Sequence, residues 1–80
     1  MILKIGERYT LEVKDFAEAS RIYCELRDKS GEGASTWPDG ELSTGHYISY
    51  NGKVWAQPRN ELWEAIEAGR DIKPVYNPFL

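Results

Sequence analysis

Residues His46–Gln57 read HYISYNGKVWAQ. Asn51-Gly52 is the pair favoured in a two-residue type I′ turn, because both turn positions need φ > 0. β-prone residues flank the pair on both sides, so the stretch predicts an antiparallel hairpin. A two-residue turn pairs Tyr50 with Lys53, Ser49 with Val54, Ile48 with Trp55 and Tyr47 with Ala56. Side chains alternate across a strand. Ile48, Tyr50 and Trp55 then share one face with His46, while Tyr47, Ser49, Val54 and Ala56 share the other. Both faces carry apolar groups, and a chain of 80 residues can bury only one of them well.

Upstream lies Ser30–Gly45, SGEGASTWPDGELSTG, whose glycines and hydroxyl residues mark irregular backbone. So long a structureless run is unusual in a small domain, which points to a hidden hairpin or a functional loop. Pro38-Asp39-Gly40 reads as a turn, with Pro presetting φ and Gly taking the left-handed position. A short strand at Ser35–Trp37 and another from Glu41 onward are therefore expected. Before this region Asp15 opens a helix, with Glu18 three residues on in a capping-box-like arrangement. Phe16, Ala19, Ile22, Tyr23 and Leu26 fall on one stripe, and Gly31 supplies the C-cap. Ile2–Ile5 and Arg8–Lys14 read as strands joined through a type II′ turn at Gly6-Glu7; one long strand with a bulge at Gly6 is the competing arrangement. In the second segment Tyr9, Leu11 and Val13 face one way, and Arg8, Thr10, Glu12 and Lys14 the other.

Downstream, Pro58 suits the first turn of a second helix whose apolar stripe is Leu62, Trp63 and Ile66, flanked by Ala65. Gly69 ends it. Residues 70–80 form an extended tail, because Pro74 and Pro78 forbid a helix. That tail also holds Ile72, Val75, Tyr76, Phe79 and Leu80, so it should dock on its own domain or on a partner. The whole chain reads as one α+β domain over residues 1–80: a small antiparallel sheet of about four strands in β-β-α-β-β-α outline, with helices packed on one face.

Net charge is −3 and the pI about 5.1, a balance that weighs against tight binding to a phosphate backbone. Cys24 is the only cysteine, which favours a reducing, cytoplasmic setting, and the N-terminal stretch has no long apolar run of the kind that enters a membrane. Cys24 and His46 make the only thiol–imidazole combination; Arg21 and Arg27, three residues to either side, would favour a thiolate, and a half-buried small hydrophobe is the plainer role. One Cys and one His fall short of a zinc site, so no metal and no cofactor is assigned. Ser30–Thr36 lacks the Gly-Lys-Ser/Thr ending of a phosphate loop and follows a helix rather than preceding one, so helix-capping glycines account for it. Glu61, Glu64 and Glu67 with Arg59 and Arg70 read as a solvated helix face.

The order helix, three strands, helix from Asp15 to Gly69 resembles that of double-stranded-RNA-binding domains in topology alone. That family binds phosphates through lysines at the start of its last helix. Here the position reads Gln57-Pro58-Arg59-Asn60-Glu61, and the loop where the family carries a histidine reads Trp37-Pro38-Asp39-Gly40-Glu41. The family is not assigned. The reading is a non-enzymatic binding or assembly module that engages a protein partner, or itself as a homodimer, through an aromatic surface. Trp37, Tyr47, Tyr50, Trp55, Tyr76 and Phe79 are the candidate binding residues, since Tyr and Trp are enriched at binding hot spots. The alternative is nucleic-acid binding, with Tyr47 or Trp37 stacking on bases and Lys53, Arg59, Arg21 and Arg27 near phosphates. A Cys24-dependent enzyme is a third reading.

Overall fold

Seven elements follow one another: β1 (Ile2–Ile5), β2 (Tyr9–Glu12), α1 (Phe16–Ser30), β3 (Gly40–Leu42), β4 (Tyr47–Ile48), β5 (Val54–Trp55) and α2 (Arg59–Glu67). They are seen in a computed structural model that describes residues 1–80. The strands form one antiparallel sheet in the order β2-β1-β3-β4-β5. The expected small α+β domain is what forms, with five strands.

Three short loops set the registers. At Gly6-Glu7-Arg8, Gly6 has φ 54° and the Arg8 N–H donates to the Ile5 carbonyl at 3.1 Å. β1 and β2 are thus separate strands, with Ile5 opposite Tyr9. At Ser43-Thr44-Gly45 the Gly45 N–H donates to Leu42 and the Leu42 N–H to His46, both at 2.9 Å. At Tyr50-Asn51-Gly52 the Gly52 N–H donates to Ser49 at 2.8 Å and the Ser49 N–H to Lys53 at 3.1 Å. The latter two loops each place a glycine last, at φ 91° and 89°. A left-handed glycine closing such a loop is the usual three-residue hairpin connection.

The type I′ turn expected at Asn51-Gly52 therefore does not form. Only glycines have positive φ, so Asn51 keeps an ordinary backbone, and its side-chain oxygen accepts from the Lys53 N–H at 3.1 Å. The register moves by one residue, to Tyr47 opposite Trp55 and Ile48 opposite Val54. A one-residue slip exchanges the faces of a strand. Ile48 and Val54, not Ile48 and Trp55, share the buried side, and both are fully buried. The cause is tertiary: Gly52 is buried against α1, where a Cβ would lie 2.5 Å from the Cys24 Sγ.

α1 forms between the expected caps. The Asp15 carboxylate accepts from the Glu18 N–H at 2.8 Å, and Gly31 at φ 71° donates to Arg27. Its buried residues are Ala19, Ser20 and Tyr23, while Phe16, Ile22 and Leu26 are only half-buried. The stripe is turned toward Ser20 because that hydroxyl donates to the Gly52 carbonyl at 2.7 Å. Ala19 and Tyr23 join Leu3, Ile5, Val13, Trp37, Leu42, Ile48 and Val54 in one core cluster. The packing of helices on a sheet face is realised there by α1; Leu62 and Ala65 of α2 are buried outside that cluster.

The strand expected at Ser35–Trp37 is absent. The Gly33 carbonyl accepts from both the Thr36 and Trp37 N–H groups, so the backbone coils and delivers the Trp37 indole into the core. Nor does Gly40 close a turn after Pro38-Asp39; it lies within β3. A Cβ there would lie 3.0 Å from Ile48, 3.2 Å from Tyr23 and 3.3 Å from Leu3, so close packing is what requires glycine. In α2, Leu62 and Ala65 are buried while Trp63 and Ile66, assigned to the same apolar stripe, are exposed. A helix packed against the domain on one side buries one stripe and leaves the adjacent one to solvent. The tail docks on its own domain only in part: Val75 donates to the Val54 carbonyl at 2.8 Å and Tyr76 accepts from the Val54 N–H at 2.9 Å, while the Val75, Phe79 and Leu80 side chains stay exposed. No helix is long and apolar enough to cross a membrane.

Gly45 and Gly52 allow the docking contact to be measured. Both have left-handed backbone, but Gly45 faces open space. Gly45→Ala should cost about 1–2 kcal/mol, the conformational penalty alone. Gly52→Ala should cost about 1–3 kcal/mol more, since the added methyl overpacks the contact with α1. Urea denaturation of both variants gives the difference, and adding Cys24→Ala to Gly52→Ala should recover part of it. Equal losses at the two glycines would refute the docking account.

Candidate binding surface

The aromatic residues read as binding groups are mostly held by the fold. Trp37 is 3% exposed, between the rings of Tyr9 and Tyr23, with the Arg8 guanidinium 5.4 Å from its own. It fills the core rather than standing out as a binding anchor. Tyr47 is 7% exposed and donates its hydroxyl to Asp39 Oδ2 at 2.9 Å. The Tyr50 hydroxyl donates to the Glu32 carbonyl at 3.0 Å, while the Tyr50 carbonyl accepts from Arg27 Nη1 at 2.6 Å. Trp55 is half-buried, with Nε1 donating to Ser49 Oγ at 3.0 Å. Tyr76 lies against the core beside Val54. Phe79 alone among them stands mainly in solvent, at 70% exposure.

The exposed apolar surface is divided between α2 and the tail, where Val75 and Leu80 are exposed along with Phe79. Trp63 is 54% and Ile66 49% exposed, three residues apart and therefore neighbours on one helix face. Asn60, Glu64 and Glu67, also on α2, are exposed as well. The helix uses its Leu62/Ala65 side for burial and leaves this side free. The sequence carries the signal as two overlapping i, i+3 pairs, Leu62/Ala65 and Trp63/Ile66, without saying which one faces inward.

A charged recess of about 360 Å³ occupies the outer sheet face. Lys4, Glu41 and Tyr47 stand side by side across β1, β3 and β4, because the registers pair Lys4 with Glu41 and Glu41 with Tyr47. Asp39, Pro38 and Arg59 close it, with Arg59 Nε 3.6 Å from Asp39 Oδ2. Burial pushes the Tyr47 phenol well above its usual range, and the hydrogen bond and charge of Asp39 add to this; Arg59 opposes them. At neutral pH Tyr47 is thus a neutral hydrogen-bond donor rather than a base.

Cys24 lines an open groove of about 610 Å³ between α1 and the tail, with Ala17, Ser20, Tyr76 and Pro78. Burial pushes its thiol up, and the Arg27 charge opposes that without reversing it. The thiolate that the flanking arginines would favour is therefore disfavoured, in keeping with a half-buried small hydrophobe. His46 is engaged elsewhere, its ring packed at a tilt against Phe16 with centroids 4.6 Å apart and Nδ1 2.7 Å from Thr44 Oγ1. The Ser30–Thr36 loop folds on itself as a helix terminus: Ser30 Oγ donates to the Arg27 carbonyl and accepts from the Glu32 N–H. Arg8 binds the Glu32 carboxylate and holds it below the usual range.

Comparison with known protein families, curated proteins and solved structures finds no match for this chain.

The buried phenols set an alkaline limit on stability. Burial raises Tyr23 as well as Tyr47, so above pH ~10 the unfolded chain loses protons that the folded chain retains. Their stabilising contribution is complete below that pH and lost as pH rises beyond it. Chemical denaturation should show stability falling above pH ~10, and Tyr23→Phe and Tyr47→Phe should each flatten the fall relative to their own neutral value. An unchanged slope in both variants would assign the alkaline loss to other groups.

Proposed function

We propose that this domain is a non-enzymatic binding module that engages a protein partner through the exposed face of α2, with Trp63 as its anchor. The observation that carries this reading is the division of α2: Leu62 and Ala65 are 5% and 4% exposed, while Trp63 and Ile66 are about half in solvent. A large aromatic left uncovered beside an aliphatic neighbour is the kind of group that dominates binding energy in protein interfaces. Phe79 offers a second exposed aromatic on the tail.

The charges favour protein over nucleic acid. Arg21, Arg27 and Arg59, three of the cations that phosphate binding would need, lie beside Glu25, Asp28 and Asp39. The enzyme reading is weakened because burial holds Cys24 and Tyr47 toward their uncharged forms. The single unpaired thiol supports a cytosolic setting.

Affinity capture from lysate of the host, with and without nuclease, tests the proposal when the wild-type protein is run beside Trp63→Ala and Ile66→Ala. Both substitutions touch exposed side chains, so circular dichroism should be unchanged. A captured protein that withstands nuclease and is lost, or weakened on the order of tenfold, in Trp63→Ala supports the α2 face. Capture equal in all three proteins, or abolished by nuclease, would overturn it.

A further inference from the structure

The chain closes one edge of its sheet and leaves the other open. Beside β5, Val75 and Tyr76 take up the backbone groups of Val54. β2 has no such cover. Its Val13 N–H donates to the Met1 carbonyl at 2.8 Å, and the antiparallel alternation then turns Leu11 and Tyr9 toward β1 as well. The Ser43 N–H donating to Ile2 at 2.9 Å fits the same alternation, since it directs even-numbered β1 residues toward β3. Thr10 and Glu12 therefore present both their N–H and C=O groups outward. To either side, the Arg8 N–H is engaged by Ile5 and the Lys14 N–H by Glu18 Oε1.

We propose that β2 pairs antiparallel with β2 of a second copy, across a two-fold axis at Leu11. Three two-fold registers bring these strands together, and only one satisfies every open group. Centred on Leu11, Thr10 faces Glu12 of the second copy and exchanges two hydrogen bonds with it, and the symmetric pair does the same. Centred on Thr10, Glu12 faces Arg8, whose N–H is already in use. Centred on Glu12, two carboxylates stand directly opposite each other, a destabilising pair. The edge carries neither proline nor bulge, two of the devices that block such pairing.

Side chains follow the same register. On the core-bearing face Leu11 meets Leu11 of the second copy and Tyr9 meets Val13. This adds cover to a half-buried leucine and to a tyrosine that is 36% exposed. Arg8 comes opposite Lys14, but its guanidinium is turned to Glu32. The surface is separate from the α2 face, so either proposal can fail without the other.

Sedimentation or light scattering across a concentration series should give a mass approaching twice 9.2 kDa. Thr10→Pro removes an N–H that the lone domain does not use, so it should keep its fold while dimer affinity falls on the order of 100-fold, the loss of two hydrogen bonds. Leu11→Cys in a Cys24→Ala background should form an intermolecular disulfide on oxidation, because Cα atoms at a non-hydrogen-bonded site lie about 4.5 Å apart. Should Thr10→Pro unfold the chain, this cross-link decides alone. Trp63→Ala should leave the mass unchanged. A monomer at every concentration with no Leu11→Cys cross-link would overturn the proposal, as would a dimer that a folded Thr10→Pro leaves intact.

Discussion

The contact between Gly52 and α1 is the constraint on which the rest of the structure depends. The turn that joins β4 to β5 lies directly on the helix, with room for a backbone and nothing more. Ser20 and Arg27, two turns apart on α1, hold it from either side through the carbonyls of Gly52 and Tyr50. Once the turn is seated there, Asn51 and Tyr50 have no freedom to form the tighter connection. The strand register follows, and from it the choice of Ile48 and Val54 for the core. The tail is tied to the same point, since Pro78 is also a neighbour of the space above Gly52. Helix, sheet and tail thus meet at one residue without a side chain.

What was legible in the sequence was what local chemistry decides. Asp15 and Gly31 bound α1 because a cap acts within one turn of the backbone it serves. The two strands before it show in the alternation of Tyr9, Leu11 and Val13. The existence of the β4–β5 hairpin was equally plain, but its register was not. Asn-Gly is compatible with more than one loop, and the choice was made by a helix more than twenty residues away in sequence. Gly40 misled for a related reason: a glycine required by its neighbours looks the same as one required by its own φ. The hairpin at Ser43–Gly45 shares only the left-handed closing glycine with the one at Gly52 and lacks the Asn-Gly pair that marks a turn in sequence.

The candidate surface was less legible than the fold. Trp37, Tyr47 and Tyr50 read in sequence as binding groups, yet they are occupied in holding the domain together. Five short strands and a nine-residue helix supply little aliphatic volume, so large rings fill the core and bridge its loops. The apolar surface left exposed sits on α2 and on the tail around Phe79. Whether Trp63 or Leu62 turns inward depends on how α2 is rotated about its own axis, which neither propensity nor composition encodes.

The position of β1 has a consequence for how the chain folds. β1 and β2 pair within the first residues of the chain, and β3, β4 and β5 form a second local meander. Only the β1–β3 ladder joins the two within the sheet, from Leu3 opposite Leu42 to Ile5 opposite Gly40. That ladder closes a loop of more than thirty residues containing α1, whereas every other strand pair closes over a few. Loop-closure entropy falls chiefly on this ladder, the one long-range strand pairing in the sheet. Leu3 and Ile5 lie on that ladder and are fully buried, so the longest loop to close is also the one that completes the core.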